Sequence, residues 1–283
     1  MDSSLLKQTK IFKLSTQSSS GVCLNTDVNF KSSFQYHFPV IYFQEEDIEY
    51  VYLSVPYVSL PTSFYNIDYT NNRLDVIINE VSTSYIFKPG NYNSTTFMYQ
   101  FKILLGSEWD ITLDKITNCF TVINSVNALV TFSFLSSSTI SSVMGFSSTI
   151  NSESTLGGNS AYITLPRTCN FLSIPRIHLR CKELASTSCL VSKNCDSDIL
   201  VSIPNDSTQN SKIVYKNFMD SSTHLDIPFL QSLTINFTDE QNNLINFNGI
   251  SSYFEIQLDI YRKRGEKKPT FRNLIRQLSQ ILE

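Results

Sequence analysis

Strict alternation of apolar and polar residues near the C-terminal end is the feature that most limits how this chain can fold. The apolar positions are Leu233, Ile235 and Phe237 in a first segment, and Phe254, Ile256, Leu258 and Ile260 in a second. A period of two with one polar side is typical of an antiparallel strand that covers a core with one face. Residues 238–243 and the pair Asn248-Gly249 lie between the segments and predict chain reversals. The two segments are therefore predicted to be strands of an all-β layer, with the apolar set of each strand buried.

The composition extends this β character to the whole chain. Hydrophobic residues make up 41% of the 283 residues, with 20 Phe and 14 Tyr, whereas charged residues make up only 17%. Many β-branched and aromatic residues with few strong helix formers favour an antiparallel sandwich or barrel. No apolar run approaches the ~20 residues that span a bilayer, and the N-terminus has no apolar segment of the secretory type. We therefore expect the chain to stay in the cytosol.

Turn-rich stretches divide the chain into four predicted segments. They are an N-terminal arm (1–30), a first β-sandwich half (31–156), a second half (157–262) and a basic tail with an amphipathic helix (263–283). The boundary between the halves is predicted at Gly157-Gly158, after a Ser/Thr-rich stretch. Each half holds seven or eight strand candidates, spaced as in a Greek key. Two sandwiches and one sandwich with a long insertion both fit this count.

One helix is predicted inside the first half, over residues 95–105. Ser94 is the predicted cap and Gly106 the predicted end. Apolar residues recur at helical spacing at Phe97, Met98, Phe101, Leu104 and Leu105. This stripe predicts a helix that packs on the core rather than one that binds a partner.

Residue types that carry catalysis or bind metals form no recognisable pattern. The three histidines, His37, His178 and His224, are scattered, and no two of the six cysteines have CxxC spacing. We therefore predict that the chain is not an enzyme and needs no cofactor or metal, and we expect free thiols. The acidic run 45–49 is interpreted as a solvated turn, because neighbouring carboxylates at a strand end diverge.

Four stretches carry a resemblance to a known family. They are YVYLSVPYVSLPTSFYNIDYTNN at 50–72, KPGNYNSTTFMYQFKILL at 88–105, SSVMGF at 141–146 and LTINFTDEQNNLINFNGISSYFEIQLDIYRK at 233–263. Together, over about a third of the chain, they resemble the penton or minor capsid proteins of virophages and polinton-like viruses. The resemblance implies a jelly-roll type antiparallel β-sandwich that forms homopentamers at the fivefold vertices of an icosahedral DNA virus. It further implies a separate major capsid protein as partner, assembly inside the host cell and a place in the virion, and it implies no catalytic residues.

The C-terminal tail is the predicted interaction segment. From Arg262 onward seven Lys or Arg and two Glu give a net charge of +5, whereas 15 basic and 23 acidic residues give the rest of the chain −8. The basic residues of the predicted interface are Arg262, Lys263, Arg264, Lys267, Lys268, Arg272 and Arg276. The apolar ones, at the spacing of an amphipathic helix, are Phe271, Leu274, Ile275, Leu278, Ile281 and Leu282.

A helix of about 14 residues is marginal alone in water, so this one must pack on something. The candidates are its own domain or, as we favour, an adjacent subunit or the inner surface of the shell. The basic run would also suit non-specific contact with genome phosphates or an anionic membrane.

Two other functions compete with a capsid role. A carbohydrate- or receptor-binding β-sandwich would use the aromatic turns Ser63-Phe64-Tyr65-Asn66 and Asn91-Tyr92-Asn93 for stacking on sugars. An enzyme on a β scaffold ranks last, because its catalytic residues would have to converge from distant positions.

Overall fold

The computed structural model of the chain describes residues 5–17, 19, 21–27, 29–125, 131–147, 152–157, 160–172, 174–184, 198–207 and 211–263. In chain order the elements are β1 (Leu5–Ser15), β2 (Val22–Cys23), β3 (Ser33–Tyr42), β4 (Ile48–Pro61), β5 (Arg73–Ile78), β6 (Val81–Ile86), α1 (Ser94–Leu105), β7 (Trp109–Leu113), β8 (Phe120–Asn124), β9 (Phe132–Phe134), α2 (Ser141–Met144), β10 (Ser152–Glu153), β11 (Thr155–Gly157), β12 (Ser160–Thr164), β13 (Arg176–Cys181), a 3₁₀ helix (Lys182–Leu184), β14 (Ile199–Pro204), β15 (Lys212–Lys216), β16 (Thr223–His224), β17 (Phe229–Thr238) and β18 (Tyr253–Lys263).

The chain divides into two compact units, and their bounds differ from the predicted ones. Unit 1 consists of Met1–Ser63 and Arg176–Glu283, and unit 2 of Phe64–Pro175. The predicted boundary at Gly157-Gly158 lies inside unit 2, where β11, which ends at Gly157, pairs with β12. In the sequence, unit 2 is inserted between the two parts of unit 1.

Unit 1 is an eight-stranded jelly roll with two small additions. Its main strands in chain order are β1, β3, β4, β13, β14, β15, β17 and β18. The first sheet has the order β1-β18-β4-β15, and the second has the order β14-β13-β17-β3, extended by β2. In terms of chain order these are strands 1-8-3-6 and 5-4-7-2. Two Greek keys wound together give this order, which defines a jelly roll.

The predicted N-terminal arm belongs to this jelly roll. β1 pairs with β18 over its whole length, from Leu5 opposite Lys263 to Ser15 opposite Tyr253. The ammonium of Lys7 lies 3.0 Å from the carboxylate of Asp259. Residues 5–15 are therefore an edge strand of the first sheet rather than a separate arm.

The predicted alternation near the C-terminal end is confirmed, and its two segments lie in the two facing sheets of unit 1. The predicted apolar sets of β17 and β18 are at most 1% exposed. The two strands lie in different sheets, and the ring of Phe254 from the first sheet meets those of Tyr36 (6.0 Å) and Phe237 (5.6 Å) from the second. The polar turn after β17 is consequently not a hairpin between paired strands. The predicted reversal at Asn248-Gly249 is confirmed by left-handed backbone at both residues, with φ of 49° and 78°.

Unit 2 contains two four-stranded antiparallel sheets and the helix α1. The sheet orders are β10-β9-β5-β6 and β11-β12-β8-β7. Its core is largely aromatic, since Phe97 of α1 stacks on Phe87 (5.0 Å) and Phe120 (5.6 Å). The chain's single tryptophan, Trp109, packs edge-on against Phe132 at 4.8 Å and is 3% exposed.

The helix α1 has the predicted apolar face but a different cap. Phe97, Phe101 and Leu105 are its buried residues. Asn93, not Ser94, is the N-cap, because its side-chain oxygen accepts from the N–H of Thr96 (2.9 Å) while the Thr96 hydroxyl accepts from the N–H of Asn93 (2.9 Å). This reciprocal pair is a capping box built with Thr in place of the usual Glu or Gln.

Glycine is needed at position 145, in the SSVMGF stretch at 141–146. It ends α2 with φ of 91°, in the left-handed region. A Cβ at this position would collide with the carbonyl oxygen of Arg167. Glycine is therefore required here twice, by conformation and by space.

Asp75 is a buried carboxylate in unit 2. It is 6% exposed, accepts hydrogen bonds from the hydroxyls of Ser84 (2.6 Å) and Ser137 (2.7 Å), and lies 3.2 Å from the Arg73 guanidinium. Burial by itself would raise its pKa, but the two hydroxyls and the guanidinium outweigh burial and lower the pKa below its ordinary value. The folded state therefore favours the charged form of Asp75.

Candidate interaction surface

The predicted basic interface begins on β18, and only its first two residues are described. Arg262 and Lys263 end that strand. The remaining basic positions (Arg264, Lys267, Lys268, Arg272 and Arg276) and all the predicted apolar ones (Phe271, Leu274, Ile275, Leu278, Ile281 and Leu282) lie outside the described residues.

The acidic run 45–49, which extends from the turn after β3 into the start of β4, forms ion pairs with both cations. The Arg262 guanidinium lies 2.6 Å from Glu45 and 2.8 Å from Asp47, and the Lys263 ammonium lies 3.0 Å from Glu49. The hydrogen bonds to Asp47 and Glu45 raise the pKa of Arg262 above its already high value. Sequence reasoning interpreted this turn as merely solvated, but it is exposed and ion-paired, because β18 and the start of β4 are neighbours in the first sheet.

These ion pairs alter the predicted charge of the tail. Within the described residues Arg262 and Lys263 are paired with carboxylates of their own unit, although the Lys263 side chain remains 61% exposed. Beyond them the sequence carries five Lys or Arg and two Glu, which leaves +3. Exposed ion pairs contribute at most about 1 kcal/mol each. Their main effect is therefore to fix the end of β18, where the tail begins, rather than to stabilise the unit.

An exposed apolar patch lies beside this turn, and we call it the β3–β17 patch. Its members are Val40, Tyr42 and Phe229. Tyr42 (61% exposed) and Phe229 (50%) are direct cross-strand partners, while the adjacent Leu230, 2% exposed, points into the core. Sequence reasoning missed this patch, because β3 and β17 are far apart in the chain and a register shift separates their exposed ends from the regular alternation.

The outer face of the first sheet is aromatic. Tyr52 lies edge-on to Tyr261 (5.8 Å) and His224 (5.7 Å), and Tyr50 is the direct partner of Tyr261. Tyr50 is 43% exposed. The rings come from β4, β16 and β18, so this face is assembled by strand pairing rather than by any local motif.

The aromatic turns predicted to stack on sugars are joined by Asn66. Its amide nitrogen donates to the carbonyl oxygens of Tyr92 (2.7 Å) and Phe171 (2.9 Å), and its amide oxygen accepts from the N–H of Tyr92 (2.8 Å). Phe64 is 4% exposed, and burial raises the pKa of Tyr92. Of the aromatic side chains in the two turns, Tyr65 is the most exposed, at 41%.

The described part of the chain also contains side chains of the types that take part in catalysis or metal binding. No three of its His, Cys, Asp or Glu side chains converge to hold a metal ion. Cys23, Cys119, Cys169 and Cys181 are free thiols, and burial raises the pKa of Cys181 far above its ordinary value. None of the helices described has the length and apolar character that crossing a bilayer requires.

Comparisons with known proteins gave matches among solved structures only. The chain matches no protein-family model, and no curated protein matches its sequence. The mavirus penton protein aligns over 90% of this chain and 99% of its own, with 11% identity and a TM-score of 0.46. A structure of the Sputnik virophage determined by cryo-EM aligns over 92% of this chain and 98% of its own, with 11% identity and a TM-score of 0.42. Because both TM-scores are below 0.5, the fold is assigned from the strand order of unit 1, which is that of a jelly roll.

Proposed function

We propose that this protein is a structural capsid subunit of an icosahedral DNA virus. The observation that carries the proposal is the strand order of unit 1, 1-8-3-6 on 5-4-7-2. Jelly rolls with this arrangement build viral capsids, and also lectin and cupin domains.

The filled interior of unit 1 favours a building block over a container for a ligand. Tyr36, Phe237 and Phe254 meet between the sheets, and Phe247 packs edge-on against Phe237 at 5.7 Å. All four are at most 2% exposed. Unit 1 can therefore bind other molecules only through its outer faces, edges and loops, which are the surfaces that contact neighbouring subunits in a shell.

The finer proposal is that the subunit is a penton or minor capsid protein, with a homopentamer at a fivefold vertex beside a separate major capsid protein. It is supported by the sequence resemblance of the four stretches. These stretches include β4, β17 and β18, which are central strands of the two sheets. The tail beyond Lys263 is proposed to contact an adjacent subunit, with its remaining +3 charge available for non-specific contact with genome or membrane.

Native mass spectrometry of the purified full chain tests this proposal. We expect a closed ring of five copies, because identical subunits that assemble through two different surfaces either close into rings or grow into filaments. A chain that stays monomeric at every concentration, alone and with the major capsid protein, would contradict a capsid role. A stable twofold dimer would contradict the vertex position, which co-assembly followed by cryo-EM would locate directly.

A carbohydrate-binding role is the second candidate, and one observation favours it. The exposed aromatic face of the first sheet around Tyr50, Tyr52 and Tyr261 offers flat rings beside polar groups, which is the chemistry that stacks on sugars. Binding on a glycan array that disappears in a Tyr50→Ser variant would support it. Equal signals from both proteins would count against it.

A further inference from the structure

The β3–β17 patch is an exposed apolar surface at one end of the second sheet of unit 1. Tyr42 and Phe229 project side by side from the second sheet, with Val40 two residues before Tyr42 and 38% exposed. Aromatic side chains that are half exposed in the free protein are typical anchors of protein interfaces. The patch therefore suits a small partner with an apolar surface.

The chain itself carries such a partner, and it starts at the same end of unit 1. The backbone N–H of Lys263 donates to the carbonyl oxygen of Asp47 at 2.7 Å. Asp47 follows Tyr42 by only five residues, a span of at most about 17 Å. Twenty further residues follow Lys263, and they include the six apolar positions predicted to form one helix face.

The charges around the patch complement those of this segment. Glu46 in the acidic turn and Asp226 just before β17 are exposed, and within the described part of the chain neither forms an ion pair. The segment after Lys263 contains five Lys or Arg. Cations that flank an apolar helix face would meet free carboxylates that flank an apolar patch, which steers association and fixes its register.

We propose that the C-terminal segment, residues 270–283, of one copy docks on the β3–β17 patch of a neighbouring copy. This inference rests on the proposed function, in which copies assemble, and it names the contact. A segment and a patch are two different surfaces, as a ring-closing contact between identical subunits requires.

The connection between Lys263 and the segment favours a neighbouring copy over the chain's own patch. Residues 264–269 include three cations and end in Pro269. Charge repulsion and proline both favour an extended connection. Six residues span at most about 20 Å, so a connection that stays fully extended would carry the segment past the patch of its own chain.

A labelled peptide tests the contact directly. A fluorescent peptide of residues 268–283 is titrated with the full-length Leu274→Asp, Leu278→Asp variant, whose own segment is disabled and whose patch is intact. We expect saturable binding that weakens at least tenfold when Tyr42→Ser and Phe229→Ser are added. The matched control is Ile250→Ser, which removes an apolar side chain of unit 1 that is 52% exposed and should leave binding unchanged. Circular-dichroism melting of each variant checks that the fold is kept.

Mixing two full-length variants then identifies which copy supplies the segment. The Leu274→Asp, Leu278→Asp chain keeps only its patch, and the Tyr42→Ser, Phe229→Ser chain keeps only its segment. We expect the mixture to form 1:1 pairs in sedimentation velocity while each variant alone is monomeric. Peptide binding that ignores the patch substitutions, or a mixture that does not pair, would overturn the inference.

The two experiments separate this inference from the function on which it rests. Wild-type rings with no peptide binding at the patch would overturn the inference and leave the capsid role standing. Pairing in the mixture without rings or capsid incorporation of the wild type would support the contact and contradict the capsid role.

Discussion

Replacing Asn66 with alanine should destabilise unit 2 much more than an ordinary surface substitution. Asn66 is 9% exposed, and its side chain satisfies two carbonyl oxygens and one N–H of distant backbone. Alanine would remove all three bonds and leave those groups without partners. A lone polar group in a buried setting costs about 1–3 kcal/mol.

The expected loss follows from the number and burial of these bonds. Tyr92 and Phe171 are only partly buried, so water can replace some of the lost bonds, and the three costs will not add fully. We therefore expect Asn66→Ala to lower the free energy of unfolding of unit 2 by roughly 2–4 kcal/mol. Asn72→Ala is the matched control, because Asn72 is 5% exposed and its side chain donates one bond, to the carbonyl oxygen of Phe87 at 2.9 Å. We expect that control to cost about 1 kcal/mol.

An acidic variant distinguishes hydrogen bonding from packing at this position. Asn66→Asp keeps the size of the side chain but turns a carboxylate oxygen toward two carbonyl oxygens. At neutral pH it should be at least as damaging as alanine, and acid should partly relieve it, because a protonated carboxyl group can donate one hydrogen bond.

Equilibrium urea unfolding followed by tryptophan fluorescence measures these effects. Trp109 is the chain's single tryptophan and is buried in unit 2, so its signal reports on that unit. If Asn66→Ala costs no more than Asn72→Ala, the three-bond bridge does not hold the two turns together. If Asn66→Asp is as stable as the wild type at neutral pH, the two hydrogen bonds that the amide donates to carbonyl oxygens do not stabilise unit 2.

Three further predictions concern the core, acid stability and the tail. Leu258→Ala should cost ~2–5 kcal/mol in a circular-dichroism urea titration, whereas Gln257→Ala on the opposite face should cost under about 0.5 kcal/mol; equal costs would mean that the register of β18 is wrong. Asp75 has a lowered pKa in the folded state, so its stabilising contribution is present at neutral pH and should be lost as the pH falls below its ordinary value of 3.8. Asp75→Asn should flatten that acid dependence of the tryptophan-monitored melting temperature, and an unchanged profile would contradict the assignment. Deleting residues 265–283 should leave the melting temperature nearly unchanged while blocking assembly into particles; a large drop for the monomer would place the segment in the protein's own core.

The candidate surface could be predicted only in part, for reasons of chain distance. The tail stands out because its cations and apolar positions are consecutive in the sequence, and its role as an interface remains a prediction. The partners of its first two residues, Glu45, Asp47 and Glu49, lie more than 200 residues upstream. Nothing local marks that pairing, which exists because β18 and β4 are neighbours in one sheet.

What the sequence alone determines here is local. The burial of Phe254, Ile256, Leu258 and Ile260, the apolar face of α1 and the reversal at Asn248-Gly249 all follow from the spacing of neighbouring residues, because strands and helices repeat every 2 or about 3.6 residues. Which strand pairs with which was decided only by the tertiary structure. The predicted boundary at Gly157-Gly158 was wrong because strand pairing is non-local. β4 and β18, almost 200 residues apart, belong to one sheet, and 112 of the residues between them, from Phe64 to Pro175, form a unit of their own. A period of two identifies the buried face of a strand but carries no information about its neighbour in the sheet.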